Sequence, residues 1–352
     1  MFHILKNFLG ISFELTIVRK KQKKNRDEVF LSYLETRIAD MEKNALLNRG
    51  RSYARESVCN YRKILRIWPE FERAAGVSGL RFSQITMDVY SGFMEWCDSR
   101  NYMESTKYHY IALVKAIMNS ALEDGASCNT IQNSRSFVTR CSAPIYKKVY
   151  LGREEISRLA AVDLNGDPLL TKVRDVFLAG CYCGQRFSDY SSLSLDDVET
   201  ISIEGEEFKA LRKIQKKTGK TVIIPMLDDS LLNIIRRWGG KMPKVSISAL
   251  NTNIKTVCRM AGIDTRVTVY SNRGGRRVKE SRYKYELVSS HTARRSYITN
   301  LYMDGRLSTE QIRSISGHSS EESFKRYLCQ NQEDEAKEII RRYIGKRGCS
   351  SR

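Results

Sequence analysis

Residues 291–327 read HTARRSYITN LYMDGRLSTE QIRSISGHSS EESFKRY, and this stretch decides the fold. It contains most of the four helical patterns that run from 291 to 345. His291 opens the first, and Arg294 follows at i+3 on the same face. Gly317-His318 marks a helix break. Tyr327 comes nine residues after His318, within a short amphipathic helix expected over Ser319–Leu328. The chain has four histidines, and two of them fall here. Each piece alone has an ordinary reading: a lone H-x-x-R is more often a surface pair or a cap, and a lone tyrosine at a helix end is more often packing. Their weight comes from what surrounds them.

Working upstream, two hairpins precede the stretch. Val267–Ser271 and Arg277–Tyr285 flank Asn272-Arg273-Gly274-Gly275. Phe208–Ile214 and Thr221–Pro225 flank Lys216-Lys217-Thr218-Gly219-Lys220, a basic turn between two strands. By itself that turn is simply good turn chemistry. Helical patterns over Arg153–Ala161, Leu169–Cys183, Asp229–Trp238 and Ala249–Met260 alternate with these strands. Where the apolar 169–183 helix ends, the chain reads Gly184-Gln185-Arg186-Phe187-Ser188-Asp189. This half is therefore mostly helix with a small antiparallel sheet.

The first half is helical throughout. Patterns near 28–47 and 52–75 are followed by one that Ser83 would cap, with Ile85, Val89, Phe93 and Trp96, and by another from Ser105 that ends before Gly125. Tyr61, Trp68, Phe71, Phe93 and Trp96 sit at core spacing and read as packing rather than as a base-stacking surface. A polar stretch, Asn129–Ser142, then Pro144, Lys147 and Lys148, reads as the boundary between two lobes able to flank a rod-like ligand.

Composition narrows the partner. The 352 residues carry 60 Lys+Arg against 40 Asp+Glu, a formal charge of +20, which points to a polyanion: nucleic acid or an anionic membrane surface. The length suggests about two domains. Met1–Val18 is moderately apolar, but Lys6 and Glu14 interrupt it, so it reads neither as a signal peptide nor as a span. Residues 19–26 form a basic run, a solvated arm that could lie along phosphates. Nine cysteines are scattered without paired spacing, and Cys181 and Cys183 lie in an apolar run, so buried thiols are expected rather than a metal site. A reducing cytoplasm fits that usage.

The strings Cys183-Gly184-Gln185-Arg186, Lys216-Lys217-Thr218-Gly219, His291-Thr292-Ala293-Arg294-Arg295-Ser296 and Ser316-Gly317-His318-Ser319 to Tyr327 together resemble the boxes of the tyrosine recombinase (phage integrase) family, over roughly 150–345. The Arg273-Gly274-Gly275 hairpin leading into Lys284-Tyr285-Glu286-Leu287 is similar to integrases of Bacteroidetes-type mobile elements. The resemblance implies a mainly α protein with a small antiparallel β-sheet: a helical, SAM-like core-binding domain (27–128), a linker (129–148), an α+β catalytic domain (149–330) and a tail helix (331–352) after a basic N-terminal segment (1–26).

It also implies roles. Tyr327 would be the nucleophile, Arg186 and Arg294 the phosphate clamps and Lys217 the general acid, with Lys216 adjacent and open as the alternative. His291 and His318 would assist, and Asp189 would occupy the family's acidic position. Lys147, Lys148, Lys216, Lys220, Arg273 and Arg295 are expected on DNA. The partners implied are double-stranded recombination sites and copies of the chain itself, a dimer on each site and a tetramer in synapsis, with accessory DNA-bending proteins in some systems. The terminal helix, 333–344, would dock on a neighbouring protomer or on its own domain. Only about 26 residues precede the first core-binding helix, short of a separate arm-binding domain, which leaves inversion or resolution as open as integration.

The physics fits such a site. A phosphodiester gains charge on its non-bridging oxygens at the transition state, and two guanidiniums offer planar paired donors to them. A phenol with an ordinary pKa of about 10 needs positive charge or a base beside it. The departing 5′-oxygen needs a proton, which a lysine on a hairpin can give. A covalent 3′-phosphotyrosine conserves the bond energy, so no cofactor or metal is expected. The same chemistry would serve a type IB topoisomerase or telomere resolvase, and the same scaffold an inactive DNA-binding relative. The retention of all six positions argues against the last.

Overall fold

The computed structural model describes residues 27–43, 47–48, 51–140 and 148–329, together with Ala336 and Ile340. The chain divides into two compact units: Met1–Pro144 with Ser271–Val278, and Ile145–Tyr270 with Lys279–Arg352. The basic run 19–26, Lys147 and, apart from Ala336 and Ile340, the expected tail helix 333–344 lie outside the described residues.

The first unit is built on α1 (Phe30–Glu42), α2 (Arg55–Ala74), α3 (Met87–Ser99) and α4 (Glu104–Asp124). A two-residue ladder of β1 (Leu47–Asn48) and β2 (Arg51–Ser52) separates the first two helices, so α1 stops five residues short of the sequence expectation. Aromatic packing fills the centre: the Trp68 ring lies 4.4 Å from Phe30 and 5.4 Å from Phe93, and Phe71 meets Phe93 edge-on at 5.2 Å. Trp68, Phe71, Phe93 and Trp96 are buried, whereas Tyr61 is half-buried. One carboxylate joins this core. Glu72 is buried and accepts hydrogen bonds from Trp68 Nε1 (3.2 Å) and from the Gly79 and Leu80 amides (3.2 and 2.9 Å), which offsets its desolvation.

Two expectations need correcting in this unit. Ser83 does not cap α3; Thr86 does, accepting from the Val89 amide. Ser83 instead donates its hydroxyl to Asp27 (2.6 Å) while its amide donates to the same carboxylate (2.9 Å), fastening the start of the unit. The segment expected as a linker also packs, at least over 129–140. Asn129 donates to the Phe82 and Ile85 carbonyls (2.6 and 2.9 Å), Gln132 is buried, and Phe137 enters the core with its ring 4.8 Å from Tyr90. Polar composition misled because Asn129 bonds to backbone carbonyls and Gln132 to the Asn119 side chain.

The second unit has α5 (Arg153–Ala161), α6 (Pro168–Cys183), the single turn α7 (Phe187–Tyr190), strands β3 (Val198–Ile203), β4 (Glu206–Ile214) and β5 (Thr221–Pro225), then α8 (Ser230–Arg237) and α9 (Ile247–Met260). After β6 (Arg266–Arg273) and β7 (Arg276–Tyr283) come α10 (Ser290–Asp304), α11 (Thr309–Ser316) and α12 (Glu321–Lys325). The three-stranded sheet is antiparallel in the order β3-β4-β5, with Val198 opposite Leu211 and Leu211 opposite Ile224. β6 and β7 form a separate two-stranded hairpin. Its tip, Ser271–Val278, groups with the first unit, where the Gly274 amide donates to the Tyr102 carbonyl (3.1 Å) and Asn272 to Glu104 (2.5 Å).

α6 is the axis of the second core. Val173, Val176, Phe177, Leu178, Ala179, Cys181 and Cys183 are buried along it. Burial pushes the Cys183 thiol up to about 12 and raises that of Cys181 as well, so both behave as small apolar groups. α10 packs against α6 and is itself buried on most of its circumference, from Thr292 to Leu301. That is why an arginine on it, Arg294, lies inside the protein.

Candidate active site

Three chain breaks bring the sequence boxes together. The first is the end of α6. Gly184 takes φ +66° as its left-handed cap, and a Cβ built there would overlap the Tyr297 ring of α10, so only glycine lets the chain turn this close to that helix. The turn delivers Gln185 into the interior and puts Arg186, half-buried, at the start of α7. The second break is the end of α11, where Gly317 takes φ +70° and its missing Cβ leaves room for the Gln215 side chain. The third is the β4–β5 turn, which carries Lys216, Lys217 and Lys220 at the surface.

Arg294 is the centre of the site, only 1% exposed. Its Nη1 donates to the Gly184 carbonyl (2.8 Å), and its Nη2 donates to the Ser316 carbonyl (2.7 Å) and to a His318 ring nitrogen (Nε2, 3.1 Å). Two glycine breaks therefore aim carbonyls at one guanidinium. Of its five donors, the Nε–H is buried without a protein partner and one Nη1 hydrogen is also left over. Burial, and then the charge of Arg186, bring its pKa down to about 10, opposed by Tyr327, Cys183 and Asp189. It remains a cation at pH 7.

His318 is also buried. Ser316 Oγ donates to the Ile312 carbonyl (2.6 Å) and lies 2.8 Å from His318 Nδ1. With the Ser316 hydroxyl hydrogen engaged by the Ile312 carbonyl, the ring proton is placed on Nδ1, and Arg294 Nη2 lies against the ring, 3.1 Å from Nε2 and 3.3 Å from Nδ1. Burial, then Arg294, Arg186 and Arg313, push the His318 pKa down to about 3, so the imidazole is neutral throughout the physiological range. His291 stands at the surface on the first turn of α10. Its pKa is also lowered, by desolvation and then by Arg295, Arg294, Lys217 and Arg186. It too is a neutral base at pH 7.

Tyr327 follows α12 in a turn rather than sitting in the expected helix; its amide donates to the Phe324 carbonyl (2.8 Å). Only Phe324 of α12 is buried, too little to carry the helix further. The Tyr327 ring lies 4.9 Å from His318 and 6.5 Å from His291, and the Arg294 guanidinium carbon lies 5.2 Å from its centre. Lys148 donates to the Arg326 carbonyl (2.9 Å), beside Tyr327. Its pKa is lowered by burial, then by the charge of Arg295. Asp189 is buried, and its Oδ1 accepts from the Lys216 amide (2.9 Å), so it fastens the basic turn.

Of the sequence-chosen residues, Arg186, Asp189, Lys216, Lys217, His291, Arg294, Arg295, His318, Tyr327 and Lys148 lie in the second unit, as does Lys220. Arg273, exposed at its hairpin, groups with the first unit. Sequence reasoning missed two buried glutamines. Gln185 and Gln215 are joined by a 2.7 Å bond, and Gln215 Oε1 accepts from Arg186 Nη1 (3.2 Å) and from Thr218 Oγ1 (2.8 Å). No local pattern distinguishes them from surface glutamines.

Residues 150–334 match the phage integrase family, and residues 29–133 match the phage integrase SAM-like domain. Among solved structures, the chain is similar to a lambda integrase dimer bound to a COC' core site, at 14% identity over 89% of this chain and 83% of that one, TM-score 0.58. It is similar to the Tn1549 transposon integrase in complex with transposon right end DNA, at 14% identity over 90% and 99%, TM-score 0.57. It is also similar to the XerH site-specific recombinase bound to a palindromic difH substrate, at 13% identity over 88% and 94%, TM-score 0.55. At these identities the likeness is one of fold. No curated protein matches the chain in sequence.

Proposed function

Because this chain belongs to the phage integrase family and is a site-specific recombinase that cuts and rejoins DNA strands, we propose that Tyr327 is its nucleophile and that Arg186, Lys217, His291, Arg294 and His318 complete its active site. The observation that carries this is the convergence on Arg294. A fully buried guanidinium sits against the Tyr327 ring and is held by Gly184, Ser316 and His318.

In this reading the Tyr327 phenolic oxygen attacks the scissile phosphorus as His291, a neutral base, takes the phenolic proton. The new O–P bond forms while the P–O5′ bond breaks, and Lys217 gives its proton to the departing 5′-oxygen. Attack by a 5′-hydroxyl of another strand reverses these steps. Arg186 and the unpaired donors of Arg294 meet the non-bridging oxygens, where preorganised charge lowers the barrier most. His318 acts through Arg294: its ring packs against the guanidinium nitrogen that donates to the Ser316 carbonyl. Lys217, rather than Lys216, is assigned the acid because its charge acts on His291.

Lys148, Lys216, Lys220, Arg273 and Arg295 are assigned to the DNA backbone, giving salt-sensitive affinity with little sequence preference. Lys147 joins them on sequence grounds. We assign the active form to a dimer on each site and a tetramer in synapsis, with residues 333–344 linking protomers. The DNA-bound dimer and tetramer of lambda integrase among similar folds support the dimer and the tetramer. The Arg273-Gly274-Gly275 hairpin supports an origin in a Bacteroidetes-type mobile element, acting in the cytoplasm with or without a DNA-bending partner. Among the described residues no helix is long and apolar enough to cross a membrane.

The test is a nicked duplex that loses its 5′-hydroxyl fragment after cleavage, trapping the covalent state. Wild type should accumulate a protein–DNA adduct and Tyr327→Phe none. An adduct that survives the substitution would overturn the nucleophile assignment.

A further inference from the structure

The β4–β5 turn presents Lys217 at the surface, yet a general acid must meet a single oxygen. What holds the turn is its first residue. The Gln215 side chain is fully buried and all its polar capacity is engaged. Its Nε2 donates to Gln185 Oε1 (2.7 Å) and to the Ser316 carbonyl (3.2 Å), and its Oε1 accepts from Arg186 Nη1 (3.2 Å) and Thr218 Oγ1 (2.8 Å). Its backbone closes the turn: the Gln215 amide donates to the Lys220 carbonyl (2.8 Å), and the Gly219 amide donates to the Gln215 carbonyl (2.8 Å). Gln185 in turn donates to the Cys183 and Ile315 carbonyls (3.2 and 3.0 Å).

We propose that Gln215 is a positioning residue that locks the turn carrying Lys217 to the floor that holds Arg186 and Arg294. It touches no reacting atom. It bonds Arg186 directly, meets Arg294 through the shared Ser316 carbonyl, and reaches Lys217 through Thr218 and the turn backbone. The acid and the clamps are thereby set from one buried amide. Gly317 preserves the space this requires, since a Cβ there would strike the Gln215 amide. The inference rests on the assignment of Lys217 as the acid.

The experiment separates proton donation from phosphate binding. Single-turnover cleavage is measured on a nicked duplex with an ordinary scissile phosphodiester and on one whose bridging 5′-oxygen is sulfur. The sulfur departs as a thiolate and needs no proton. Lys217→Ala should be slowed on the oxygen substrate by about 100-fold or more and restored towards wild type on sulfur; failure of that restoration overturns the acid assignment itself. Gln215→Ala should be slowed about tenfold more on oxygen than on sulfur, within the range that misplacing an acid allows. Gln215→Met, which fills a similar volume without hydrogen bonds, should show the same selectivity. Equal slowing on both substrates, or wild-type rates on both, with Lys217→Ala restored by sulfur as expected, would refute the role of Gln215.

Discussion

The buried neutral state of His318 makes stability depend on pH in a way that one substitution removes. In the folded protein its pKa is about 3 against an ordinary 6.5, so between those values the unfolded chain binds a proton that the native one refuses. Stability therefore rises with pH across that window and is lost as pH falls from 6.5 towards 3. At pH 5 the unfolded imidazole is about 97% protonated and the folded one about 1%. The linkage integral is then about 2 kcal/mol, against about 0.2 kcal/mol at pH 7. His318→Gln keeps an acceptor for Arg294 and cannot titrate. Urea unfolding of both proteins at pH 7 and pH 5 should show the wild type losing about 2 kcal/mol more than the variant. The pKa values of His291 and His109 are also lowered, so the variant keeps some slope; the difference between the two proteins isolates position 318. Parallel curves would refute a neutral, desolvated His318.

Arg294→Lys keeps the charge but loses the planar donors, and should slow cleavage about 10²–10³-fold with DNA affinity within about twofold; gel shift and single-turnover rates separate the two. Gly184→Ala puts a Cβ into the Tyr297 ring at a left-handed position, and thermal melting should show a loss of about 3 kcal/mol or more. Glu72→Ala strands the Trp68 indole and two amides inside the first unit, for an expected loss of about 2–4 kcal/mol, read as earlier unfolding by tryptophan fluorescence.

Much of the candidate site was legible because its members lie in short local strings: glycine two residues before Arg186, threonine and glycine after Lys217, glycine directly before His318. The bounds of α5, α6 and α9 followed from apolar periodicity, because one face of each is buried. β3 was missed for the opposite reason. Val198–Ile203 has no buried residue, so no buried face marks its pattern, and pairing to β4 completes it as a strand. Tyr327 was placed in a helix because residues 319–328 alternate suitably, but with Phe324 alone buried the helix ends at Lys325. Ser83 and Asn129 were misread because their partners, Asp27 and the 82–85 backbone, are more than forty residues away. Gln185 and Gln215 were invisible on the same ground: a glutamine's burial is decided by contacts 30 to 130 residues distant.

The central claim is that one tyrosine becomes bonded to DNA. Wild-type protein trapped on a nicked duplex, digested with protease and nuclease, and sequenced by mass spectrometry should carry its nucleotide remnant on Tyr327, in a phosphodiester to the 3′-oxygen. A remnant on any other residue, or one joined through the 5′-oxygen, would contradict the account.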